Sequence, residues 1–344
     1  MSEAKIHKHT GRFPLELGGE LTDLEIAYHT YGTLNSRGDN VVWVCHALTA
    51  NSDVASWWPH TVEHDKFLDP GKWFVVCANI LGSHYGSTGP LSINPATGAP
   101  YYGTFPALTI RDMVRAHKLL ADALGIGKIH ALVGSSVGGF QALQWAVDEP
   151  DRFAKLILIA TDAKASPWTI AIDETQRMAI EADPTYGEPR PDAGMAGMAA
   201  ARAIGLLTYR GAPGYNLTQR DPANTGNEII DRSHRRPCTY QQYQGQKLCR
   251  RYNAYSYMTI LNAFDTHNVG HGYGSLREAL KRITAETSVT GISSDIIFTP
   301  AEMRKLAGAI PGAKYSEIDS EFGHDGFLVE HEQLNNILNS FINK

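Results

Sequence analysis

Gly134-Ser135-Ser136-Val137-Gly138 constrains this chain more than any other stretch, because it joins an apolar run at 129–133 directly to a helical run at 140–147. A strand that turns at once into a helix through G-x-S-x-G forces its apex residue into a strained backbone, and the flanking glycines leave the room that turn needs. The apex hydroxyl is then exposed beside a helix N-terminus. Ser136 is that apex, since Ser135 lacks glycines at both two-residue offsets. The bland alternative, a glycine-rich turn with an incidental serine, explains neither the strand before it nor the helix after it.

The rest of the chain supplies the context such a turn requires. Apolar runs at 26–31, 40–45, 73–79, 129–133 and 156–160 read as strands. Between two of them, residues 109–124 place Met113, Ala116, Leu119, Leu120 and Leu124 on one helical face, which makes a β-α-β unit. Residues 163–285 are polar and helix-leaning, interrupted by Pro184, Pro189, Pro191, Pro213, Pro222 and Pro237. Strand character resumes at 288–298 and 313–318, and a helix is expected over 327–342. The pattern predicts an α/β-hydrolase fold: a mostly parallel central sheet flanked by helices, its catalytic domain formed by 1–162 and 286–344, with 163–285 inserted as a helical lid. No fixed-period repeat appears, which excludes the hexapeptide β-helix of many acetyltransferases.

Composition narrows the function classes. A chain of 344 residues, 43% hydrophobic and 19% charged, is that of an ordinary globular protein with a packed core. A net charge of -5, with no basic stripe, argues against nucleic-acid binding. Cys45, Cys77, Cys238 and Cys249 form no CxxC pair and read as structural free thiols. The beginning MSEAKIHKHTGRF resembles no signal peptide and no run is long and apolar enough for a membrane span, so a cytoplasmic location is expected. The sequon at Asn216-Leu217-Thr218 is read as chance. So is the offset of His60 and Asp65, which matches the acid-base pair of glycerolipid acyltransferases. HExxH and GxxxxGK[ST] are missing, and no metal and no resident cofactor are expected.

A serine hydroxyl needs a base to take its proton, and that base needs a carboxylate to fix its tautomer. This fold orders them Ser, acid, His. Asp295 follows a strand-like run after the insertion, and His324 sits in the glycine-flanked loop Glu321-Phe322-Gly323-His324-Asp325-Gly326, so both are in sequence. Oxyanion donors are expected from the backbone N–H groups of Val137, after the nucleophile, and Leu48, in the loop after the 40–45 strand. Leu48 can also pack inward, since only its backbone is asked to act.

Over nearly its whole length the sequence resembles the homoserine O-acetyltransferase family of methionine biosynthesis. The resemblance rests on residues 26–35 (IAYHTYGTLN), Cys45-His46-Ala47-Leu48-Thr49, Gly86-Ser87-Thr88-Gly89-Pro90 with Ile93-Asn94-Pro95, and Ser136-Val137-Gly138-Gly139. Leu207-Thr208-Tyr209-Arg210, Tyr243-Gln244-Gly245, Ser256-Tyr257 and Gly323-His324-Asp325 extend it. It implies ping-pong transfer: Ser136 takes acetyl from acetyl-CoA, and the L-homoserine hydroxyl then attacks the acyl-enzyme. It further implies that Arg210 pairs with the amino-acid carboxylate, that Asp325 accepts the ammonium group, that Tyr240 lies near the substrate, and that the chain forms a homodimer through its inserted helices. Ser83-His84-Tyr85, Asn253 and residues 267–273 depart from the family pattern. These departures leave open a succinyl donor or a serine acceptor, and transfer to water, as in an esterase or thioesterase, stays the other alternative.

Overall fold

The computed structural model describes residues 3–221 and 231–344; Pro222, among the insertion's prolines, lies outside them. The main sheet runs through β1 (Lys5–Pro14), β2 (Glu20–Tyr31), β3 (Val41–Cys45), β4 (Phe74–Ala78), β5 (Ile129–Ser135), β6 (Phe153–Ile159), β7 (Glu286–Ile292) and β8 (Lys314–Ile318). Their spatial order is β1-β2-β4-β3-β5-β6-β7-β8. β2 is antiparallel to β1 and β4, and every pairing from β4 to β8 is parallel. Helices α1 (Ile110–Ala123) and α2 (Val137–Asp148) precede α3 (Pro167–Glu181), α4 (Met195–Tyr209), α5 (Ala212–Thr218), α6 (Arg236–Cys249) and α7 (Ala254–Asp265). α8 (Pro300–Ala309) and α9 (His331–Ile342) follow.

The central parallel strands β3 and β4 are apolar on both faces because both are covered. On β3, Trp43 and Cys45 join one core layer with Met113 and Leu120 of α1, Phe140 and Trp145 of α2, and Met303 of α8. Val42 and Val44 face the opposite layer, with Trp58, Phe67, and Leu334 and Leu338 of α9. This alternation is the period of two expected of a strand. A third cluster, including Ile180, Met198, Leu248, Tyr257 and Leu261, holds the helices between β6 and β7 together. Gly197 of α4 lies against the backbone at Ala179 and Ile180, and Gly245 of α6 against Ala199, where a β-carbon would overlap main chain.

Two expectations needed correction, and one strand had not been expected. The strand expected over 288–298 ends at Ile292, because the chain leaves the sheet through Ser293 and Ser294 to deliver Asp295 beyond its edge. The helix expected over 327–342 is a short turn, Gly326–Val329, followed by α9. β1 gave no apolar run to read, since Phe13 is its one buried residue. No described helix is long and apolar enough to cross a membrane.

The strand order places the site. β3 and β5 are neighbours although the chain leaves β3 toward β4, so the loops after β3 and β5 diverge and leave a crevice at the strands' C-terminal ends.

Candidate active site

Ser136 occupies the turn between β5 and α2 with φ 55° and ψ -126°, a conformation that side chains avoid. The surroundings enforce it. Ser136 N donates to Ile159 O at 3.0 Å, and Thr161 Oγ1 donates to Ser136 O at 2.8 Å. A β-carbon on Gly134 would overlap Gly138, and one on Gly138 would overlap the carbonyl of Cys45. Glycine is needed at both places because helix, turn and neighbouring strand all touch there.

His324 Nε2 lies 2.9 Å from Ser136 Oγ, and His324 Nδ1 lies 2.7 Å from Asp295 Oδ2. An ionised carboxylate only accepts, so Nδ1 carries the proton and Nε2 is free to receive one from Ser136. Asp295 is fixed in turn by the N–H groups of Ile297 and Phe298, which donate to Oδ1 at 2.7 and 3.2 Å. Burial pulls the His324 pKa down, but the charges of Asp295 and Asp325 outweigh it and hold the imidazole above its ordinary 6.5. The acid and histidine loops are bound to each other: Gly323 N donates to Ser294 Oγ at 2.9 Å, and Ser320 N to Ser293 Oγ at 2.9 Å.

Val137 follows Ser136 in the chain, Leu48 lines the cavity that holds Ser136, and among the described residues no protein group accepts a hydrogen bond from either N–H. Two free donors beside a nucleophile are what a developing oxyanion requires. His46 holds the Leu48 loop: Nδ1 donates to Ala47 O at 2.8 Å and Nε2 accepts from Ile80 N at 3.1 Å. Burial pulls its pKa down to about 4, so it stays neutral and keeps both bonds. Sequence reasoning gave His46 no part; its position directly after a strand and before Leu48 was the available signal.

A cavity of about 570 Å³ opens over Ser136 and His324, with Leu48, Phe298 and Phe327 among its apolar walls. Arg210 and Asp325 share it. Arg210 Nε lies 3.1 Å from Asp325 Oδ2, close enough to pair but not aligned as a hydrogen bond. Asp325 does not cap the turn it precedes. The contact is possible because Gly323, at φ 68°, lets the backbone of Arg210 and Gly211 press against the histidine loop. Tyr240 sits elsewhere, on an adjoining cavity of about 160 Å³ behind Arg210, 5.9 Å from the Tyr215 ring. Arg202, Tyr209, Asp173, Lys247 and Arg251 also line the main cavity. Their sequence context gave no reason to single them out as site residues.

His64, Asp65 and Asp69, on the surface loop before β4, bring three possible ligand atoms within 4.8 Å of one another. Lys72 Nζ lies 3.7 Å from both aspartates, and Asp69 accepts from the N–H groups of Asp65 and Gly71, so the cluster is already engaged within the protein.

A strand-turn-helix serine on a parallel sheet defines the class, and a profile of the α/β hydrolase fold matches residues 40–331. A solved esterase shares this fold at TM-score 0.88 and 22% identity, covering 99% of each chain. The homoserine O-acetyltransferase of Cyclobacterium marinum is 43% identical over 327 residues, 95% of this chain and 92% of its own. The crystal structure of homoserine O-acetyltransferase from Bacillus anthracis matches at TM-score 0.86 and 26% identity, over 100% of this chain and 99% of that one. Within the α/β hydrolase class, this chain belongs to the homoserine O-acetyltransferase family.

Proposed function

We propose that the protein transfers acetyl from acetyl-CoA to the hydroxyl of L-homoserine through an acetyl-Ser136 intermediate. Ser136 Oγ attacks the thioester carbonyl while His324 Nε2 takes the serine proton; the carbonyl oxygen becomes an oxyanion facing the N–H groups of Leu48 and Val137. Collapse breaks the C–S bond, and the CoA thiolate leaves with the proton from His324. The homoserine hydroxyl then gives its proton to His324 Nε2 and attacks the acetyl carbon. The second collapse breaks the acyl–Oγ bond and returns the proton to Ser136. Asp295 keeps the imidazole in the working tautomer and stabilises its cation in both halves.

The observation that carries this reading is the pair Arg210 and Asp325 beside His324, 3.1 Å apart in the same cavity as Ser136. An amino-acid zwitterion carries one charge of each sign. Entering between the two, it exchanges one ion pair for two: carboxylate on Arg210, in the bidentate manner guanidinium favours, and ammonium on Asp325. A simple alcohol or water offers no such exchange, so the pair selects the acceptor. The names of the relatives support acetyl as the group transferred and homoserine as its recipient. The same reading assigns the protein to methionine biosynthesis in the cytoplasm, working as a homodimer.

The test is a matrix of acetyl-CoA and succinyl-CoA against L-homoserine and L-serine, compared by kcat/KM. Acetyl-CoA with homoserine is expected to exceed the other three pairs by at least tenfold. A preference for succinyl-CoA or for serine overturns the substrate assignment.

A further inference from the structure

The cavity over Ser136 is electrically unlike the chain that encloses it. The whole sequence carries -5, yet Arg202, Arg210, Lys247 and Arg251 converge on this one space. Its two carboxylates do not balance them. Asp325 is committed to Arg210. Asp173 is held well above the usual carboxylate range by burial and by the neighbouring Asp265, despite Arg177 nearby, which weakens it as a partner for these cations. Three cations are left over. None of Arg202, Lys247 and Arg251 has a carboxylate partner among the described residues.

Their settings differ in a way that suits one elongated ligand. Arg202, on α4, is half-buried and lies over the Tyr209 ring, 5.3 Å from its centre. Lys247, on α6, and Arg251, just beyond it, are exposed at the outer part of the cavity wall. Arg251 is also oriented, because Nη1 donates to Thr49 O at 2.5 Å and to the Tyr85 hydroxyl. It is thereby tied to the loop that carries Leu48, with its remaining N–H groups available. Lysines and arginines left to water gain nothing by converging, and a low-dielectric cleft lined by one sign focuses its field on an incoming ion of the other. One carboxylate from the amino acid does not require three further cations, since Arg210 is present. A donor ending in several phosphates does.

We propose that Arg202, Lys247 and Arg251 form the anchor for the phosphate-bearing end of the CoA thioester. The proposal rests on the reading of acetyl-CoA as donor and assigns what that reading leaves open, the residues that hold its nucleotide. Lys247 and Arg251 meet the phosphates at the mouth, and Arg202 adds its charge to theirs from beside Tyr209. Cationic groups are suited to this because charge-assisted bonds to phosphate are stronger than neutral ones.

The test compares acetyl-CoA with S-acetyl-N-acetylcysteamine, a thioester without phosphates, reading thiol release by the full-length protein and its variants. In Lys247→Gln/Arg251→Gln, the ratio of kcat/KM for acetyl-CoA to that for the short thioester is expected to fall about tenfold or more, chiefly through KM. Lys247→Arg, which keeps the charge, is expected to preserve most of the ratio, and added salt is expected to lower it in the unmodified protein. Equal proportional loss with both donors, or a ratio within twofold of the starting value, overturns the anchor. Because thiol release precedes the acceptor step, failure to acetylate homoserine overturns the transferase reading and leaves this ratio intact. Should neither thioester react, titration of CoA against pantetheine decides: about tenfold tighter binding of CoA that the double variant loses supports the anchor, and equal affinities contradict it.

Discussion

The ends of the sheet strands and the helices above them hold functional groups by different means. Ser136, Asp295 and the N–H groups of Leu48 and Val137 are fixed by backbone: a strained turn, two amide donors on a carboxylate, a loop held by His46. Arg202, Arg210, Lys247 and Arg251 belong to the helices between β6 and β7 and their ends, and reach the cavity as long side chains. The first region presents atoms whose positions cannot drift, which bond-making demands. The second presents charge, which tolerates some movement and can be re-paired. On this account the sheet supplies the chemistry and the helices choose the substrates, so substitutions in the two regions should fail differently.

The largest expected effect is at the sheet. Ser136→Ala is expected to reduce transfer by about 10⁴-fold or more and to abolish acetyl labelling of the protein, read by intact mass. Persistent labelling would place the nucleophile elsewhere. Next comes Arg210→Ala, expected to lower kcat/KM for homoserine by about 10²-fold while CoA release from acetyl-CoA changes little, because the acetyl half-reaction does not use the amino-acid carboxylate. Equal loss in both half-reactions would erase the division between the regions.

Gly323→Ala probes where the regions touch. Its β-carbon would overlap the backbone of Gly211 and Arg210, at a φ of 68° that alanine resists. A loss of about 1–3 kcal/mol of stability is expected in thermal or denaturant unfolding. No loss would mean that the two segments part without cost.

The smallest effect is a shift in pH. Transfer needs neutral His324, so the rate rises as the imidazolium loses its proton. That pKa stands above 6.5 partly through Asp325. Removing a negative charge disfavours the cation, so Asp325→Asn should move the acid limb of the kcat/KM profile for thioester to lower pH. A limb that stays in place, or moves up, would show that Asp325 does not act on His324.

The division between the regions also governs what could be read from sequence. Ser136 and His324 were legible because their turns need particular glycines, and Asp295 because it follows a strand in the fixed order Ser, acid, His. The central parallel strands β3 and β4 were legible because burial on both faces demands unbroken apolar runs. β1 was not, since an edge strand with one buried residue has no such run. Arg202, Lys247 and Arg251 were illegible for a different reason. A cation on a helix looks the same whether it faces water or a cavity, and only packing of α4 and α6 over the sheet decides which. Arg210 and Asp325 came from family resemblance, and the structure adds that they face one another. Tyr240, from the same resemblance, lies on the smaller cavity behind Arg210.

The central claim is that acetyl passes through Ser136 to an amino acid in preference to water. It is tested most directly by mixing the protein with a single equivalent of acetyl-CoA, removing CoA, and following the acetyl-protein by mass with and without L-homoserine. An acetyl increment on the Ser136 peptide is expected to persist in buffer and to disappear at least about a hundredfold faster when homoserine is added, with O-acetylhomoserine formed in equal amount. Decay at the same rate with or without homoserine, yielding acetate, would contradict it.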